Sequence, residues 1–225
     1  MSEKIPELEK ELVDTRKRLG AQHPDYVTVV DNVADAYYSK EMFVRAIELY
    51  KYAMILRQRL LGKIHADTVY SMENLARKYE EQGNFEDALV LLQQFADTVK
   101  QLQSHRHPNY ASCLNNMARM YERLDKVEQA ELLLRQSLTL RVSLLGEEHA
   151  DTAQSLNNLA AFYEKYGRYK EAEPLRRKLV DIKGFLLGHK HPDYVTSLNN
   201  LANNYKGQKK YKKAKVTREL IDSLK

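Results

Sequence analysis

Histidine recurs as His23, His65, His107, His149 and His191, a spacing of 42 residues held without insertion or deletion. A fixed period of this length is the mark of a chain that stacks copies of one supersecondary unit. Taking the histidine as offset 0, offset 9 is Asn32, Asn74, Asn116, Asn158 and Asn200. Offset 11 is alanine throughout (Ala34, Ala76, Ala118, Ala160, Ala202), and offset 14 is tyrosine (Tyr37, Tyr79, Tyr121, Tyr163, Tyr205). Offset 23 is alanine again, at Ala46, Ala88, Ala130, Ala172 and Ala214.

Each unit reads as two helices. Asp25, Asp67, Asn109, Asp151 and Asp193 at offset 2 are suited to cap a first helix, their side chains accepting from a first-turn N–H. Apolar residues then recur at helical spacing, as in Leu156, Leu159, Ala160 and Tyr163. A break falls near offset 18, at Gly83 and Gly167. The second helix opens on Phe43, Phe85, Val127, Tyr169 or Tyr211 and ends, in three units, on Leu-Leu-Gly closing at Gly62, Gly146 and Gly188. Glycine there can close the last turn in the left-handed conformation. The invariant alanines fit close helix crossings, with the tyrosines filling core beside them. Residues 1–22 read as a lone second helix, with Leu8, Leu12, Val13 and Leu19 covering the first unit. The expected fold is all-α: a solenoid of eleven helices, one followed by five pairs.

The segments HPDYVTSLNNLANNY (191–205), HADTAQSLNNLAAFYEKYGRYKEAEPL (149–175) and RVSLLGEEHAD (141–151) resemble tetratricopeptide repeats, in the 42-residue variety of kinesin light chains and nephrocystin-3. The resemblance implies a right-handed α-solenoid with a half-repeat at 1–22. Repeats would span 23–64, 65–106, 107–148 and 149–190, with a fifth at 191–225 ending in a basic helix. It also implies a concave wall of first helices that takes extended peptide segments of partner proteins, and it places offsets 5, 8, 9, 12 and 15–16 on that wall. Three departures stand out: the second unit ends QLQSHR, Glu41 replaces the glycine of the break, and Pro174 lies inside a second helix.

An amide repeated five times on a helix with an apolar face suggests a ladder, because a carboxamide can pair with both groups of a peptide unit. The peptide-binding candidates are therefore Asn32, Asn74, Asn116, Asn158 and Asn200, with Asn115, Asn157 and Asn199 beside them. Arg77, Arg119, Arg123 and Lys165 fall on the same wall and point to an acidic segment. The alternative reading of the amides is structural: they bond a neighbouring helix and fix the stacking.

Other chemistry finds little support. No Gly-rich phosphate loop, GxSxG or HExxH is present, so no catalytic residue, cofactor or small-molecule substrate is expected. Histidines of successive units are separated by a helix-packing distance and cannot share a metal ion. The pairs His105/His107 and His189/His191 lack further ligands. The net charge of +5 resides from His191 onward, in eight bases against three acids, while the preceding residues balance. That lysine-rich end reads as a solvated cap, with a nucleic-acid or lipid adaptor as the lesser alternative. A structural subunit of a larger assembly is the other class of function considered. One cysteine, Cys113, and no apolar run long enough to span a bilayer suit a cytoplasmic protein.

Overall fold

The computed structural model describes residues 4–101 and 108–224. Among them are eleven helices: α1 (Lys4–Leu19), α2 (Pro24–Tyr38), α3 (Phe43–Leu61), α4 (Ala66–Glu81), α5 (Phe85–Gln101), α6 (Pro108–Arg123), α7 (Val127–Leu145), α8 (Ala150–Lys165), α9 (Tyr169–Leu187), α10 (Pro192–Gly207) and α11 (Tyr211–Ser223). The fold is an all-α solenoid of helix pairs. Two compact units divide the chain, Met1–Asn109 and Tyr110–Lys225.

Within Met1–Asn109, each of α1 to α4 packs on the helix that follows it. Tyr26, Val27, Val30, Ala53 and Leu56 form a core cluster with Leu12 of α1 against it. Leu12 therefore covers the first pair as expected, whereas Val13 faces solvent at 50% exposure, one helical step off the packed stripe. Within Tyr110–Lys225, α8 packs on α7 and α9, and α10 on α9 and α11. Here the two alanine series meet in one cluster, with Ala118 and Ala160 against Ala130, Ala172, Leu134, Phe162 and Tyr163. All ten repeat alanines are buried, because only a methyl group fits where the helix backbones approach.

The first helices are capped differently from the sequence expectation. Histidine, not the acid two residues on, is the N-cap: Nδ1 of His23, His65, His149 and His191 accepts from the N–H of Asp25, Asp67, Asp151 and Asp193 at 3.1–3.2 Å. Each of these histidines has extended backbone, and the helix begins at the next residue. The aspartates sit inside the first turn, where their charge complements the helix dipole. His105 and His107 lie outside the described residues.

Among the described residues, the two kinds of break use positive φ in different ways. At offset 18, Gly83 (76°) and Gly167 (72°) are left-handed, and so are Glu41 (60°), Asp125 (55°) and Lys209 (60°). The turn geometry thus overrides side-chain preference in three units. The Leu-Leu-Gly glycines are not the expected left-handed caps. Gly62, Gly146 and Gly188 combine φ of 82–95° with ψ of 159–171°, a region essentially reserved for glycine. α9 runs unbroken through Pro174.

Candidate functional site

Within Tyr110–Lys225, α6 and α8 present one groove of about 260 Å³. Asn115, Asn116, Arg119 and Glu122 line it from α6, and Asn158, Ala161, Phe162 and Lys165 from α8, with Leu134 of α7 beneath. Helical spacing explains the register, since residues three and four apart share a face. Three amides, two cations and the Glu122 carboxylate surround Leu134 and Phe162.

Five of the residues chosen from sequence thus converge: Asn115, Asn116, Arg119, Asn158 and Lys165. Arg123 is exposed one turn beyond Arg119 on α6. Asn200 is half-buried and Asn199 exposed on α10, outside the residues lining this groove. Asn32 and the pair Asn74/Arg77 belong to Met1–Asn109. There Asn32 lines a separate groove of about 640 Å³ with Ile5, Leu8, Asp35, Ala36, Ser39 and Lys40. Asn74 Oδ1 accepts from Arg77 Nη2 at 2.6 Å within α4.

The amides at offsets 8 and 9 have separate surroundings. Asn158 Oδ1 accepts from Gln154 on its own helix at 3.2 Å, which leaves its amide at the groove. Asn157 instead accepts from Arg176 Nη1 of α9 at 2.7 Å. Asn115 Nδ2 donates to Ser155 of α8 at 3.4 Å, and Asn199 Nδ2 to the Val195 carbonyl at 3.1 Å. In residues 110–225, then, Asn115 and Asn157 tie helices together, and Asn115 also lines the groove with Asn116 and Asn158.

The carboxylates of residues 110–225 are the feature that sequence reasoning missed. Lys165 Nζ donates to Glu122 Oε2 at 2.8 Å, and this bond raises the lysine pKa. Glu164 accepts two bonds from Arg176, at 3.0 and 2.6 Å, and a third from Asn204 at 2.9 Å. Arg176 is only 5% exposed, so the pair carries its charges into the packing of α8, α9 and α10. The signal was present: Glu80, Glu122 and Glu164 all fall at offset 15. A second charged cluster joins α7, α8 and α9. Glu131 accepts from Arg168 at 2.5 and 3.1 Å and from Tyr163 at 3.0 Å, holding its carboxyl below the usual range.

His191 is engaged as a cap, and the His189 ring packs edge-on against Tyr194 at 4.9 Å. No group of three metal-ligating side chains occurs among the described residues. Cys113 is buried as a small core residue.

A tetratricopeptide repeat family model matches residues 26–101 and 151–216. The chain belongs to the tetratricopeptide repeat family. A second model of the same repeat matches residues 111–151. Among solved structures, the chain is similar to kinesin light chain-like TPR repeats from Podosopora anserina, with 25% identity over 90% of this chain and 96% of that one and a TM-score of 0.70. It is also similar to BtubC (BKLC) from P. vanneervenii, with 23% identity, coverage of 99% and 90%, and a TM-score of 0.78. The apo form of RapI shares the fold at 13% identity and a TM-score of 0.70, over 96% of this chain and 58% of that one. No curated protein matches the chain by sequence.

Proposed function

We propose that this tetratricopeptide repeat protein is a non-catalytic interaction scaffold that docks an extended, acidic segment of a partner protein along α6 and α8. The observation that supports it is the convergence of Asn116, Asn158, Arg119 and Lys165 on one groove. A carboxamide donates and accepts at once, so two such groups can hold a peptide backbone whatever its side chains. The arginine fork and the lysine then favour carboxylates, while the Leu134–Phe162 floor takes an intervening apolar side chain. A reducing, cytoplasmic setting fits the single buried Cys113. No helix of the described residues is long and apolar enough to cross a membrane.

The test is selection of peptides from a random display library, followed by titration of the selected sequences against wild type and the variants Asn158→Ala and Arg119→Glu. Acid-rich peptides bound by wild type should lose roughly tenfold or more with Arg119→Glu and a few-fold with Asn158→Ala. Neutral or basic consensus sequences, or equal affinity for all three proteins at unchanged melting temperature, would refute the assignment.

A further inference from the structure

We infer, on the reading of the α6–α8 groove as a peptide site, that Asn115 imposes a hydrogen-bond requirement there: the partner segment must bring a backbone N–H to its Oδ1. Asn115 lines the groove, and its Oδ1 is buried with no hydrogen-bond partner. Lys165, a donor lining the same groove, turns to Glu122 instead, at 2.8 Å.

Reversing the amide does not cure this. Ser137 spends its one proton on the Ala111 carbonyl, at 2.8 Å. Ser155, 3.2 Å from Ser137, therefore donates its own proton to the Ser137 oxygen. Arg141 Nη1, which can only donate, points at the same Ser155 oxygen from 3.1 Å. Ser155 has a lone pair left and no proton, so the group of Asn115 that faces it at 3.4 Å must be Nδ2. Turned over, the amide would set oxygen against oxygen. Oδ1 is thereby held on the other side, and a buried acceptor left without a donor destabilises the fold.

A ligand reaches Oδ1 by a small turn of the side chain. Asn115 as a whole is half-buried, with part of its surface at the groove. The turn gives up only the 3.4 Å bond to Ser155, at the long edge of hydrogen bonding. The carboxylates of an acidic segment carry no proton at neutral pH and cannot donate. A main-chain N–H can, which excludes proline from that one position of the segment.

The experiment takes an acid-rich peptide selected on wild type and replaces its amide bonds by esters one at a time, removing a single N–H and keeping every side chain. Each peptide is titrated against wild type and Asn115→Ala. At least one ester should weaken binding to wild type about tenfold while leaving binding to Asn115→Ala unchanged. The variant should bind the parent peptide about tenfold more weakly than wild type does. A flat ester scan on wild type overturns the inference without need of the variant. So does a scan in which every sensitive position stays equally sensitive in Asn115→Ala. Wild type that binds acidic peptides, loses them with Arg119→Glu and still gives a flat scan would keep the proposed function and remove the role of Asn115; wild type that binds no acidic peptide removes both.

Discussion

Glu122 on α6 and Lys165 on α8 form a 2.8 Å ion pair across the candidate groove, so Lys165 is already held by the protein's own carboxylate. An incoming acidic residue must compete with Glu122 for Lys165. Lys165 is 54% exposed, so the pair contributes at most about 1 kcal/mol. Glu122→Gln should therefore raise affinity for a selected acidic peptide up to about fivefold, read by fluorescence anisotropy. Unchanged or weaker binding would mean that the bridge does not oppose the ligand.

The Glu164–Arg176 pair is a different case, because the arginine is buried and the carboxylate is 21% exposed at the side chain. Either single change, Glu164→Leu or Arg176→Leu, strands a charge and should cost about 2–4 kcal/mol in urea unfolding. The double leucine variant should cost less than the sum of the two. A cycle with no coupling would show that the pair is not a unit.

Acid stability should depend on Glu131. Its pKa lies below the ordinary 4.5, chiefly through the bond from Arg168. The stabilisation is complete above about pH 4.5 and is lost as pH falls through the lower folded-state value. Glu131→Gln should lower stability at neutral pH and flatten the decline below pH 4.5. At the alkaline end Tyr38, raised to about 12 by burial and its bond to Glu81, loses its contribution between pH 10 and 12. Tyr38→Phe should make the alkaline decline shallower without abolishing it, since Tyr37 and Tyr163 are raised as well.

Backbone geometry separates the two glycine classes. Gly146→Ala forces a β-carbon into a glycine-only region and should cost about 1–3 kcal/mol. Glu41→Gly relieves left-handed strain and should be neutral to stabilising, by about 1 kcal/mol at most. Calorimetric melting of both proteins gives the comparison.

Capping gives a further contrast. His149→Ala removes the acceptor for the Asp151 N–H and should cost about 0.5–2 kcal/mol. His149→Asn, which supplies another acceptor, should retain most of the stability. Equal loss in both variants would assign the histidine a packing role instead.

The amino-acid sequence by itself determined the period, the eleven helices and the buried alanines. It also set where second helices begin: Phe43, Phe85, Val127, Tyr169 and Tyr211 each open one. These properties are local, since helical spacing, turn residues and small side chains act within one repeat and their pattern survives in one dimension. Tertiary structure decided which groups meet. It engaged Asn115 and Asn157 in helix packing, and it set Glu122 against Lys165, 43 residues away. Such pairings depend on which side chains approach within about 3 Å across neighbouring helices. Repetition places the helices side by side, but only packing in three dimensions brings one carboxylate and one ammonium close enough to bond.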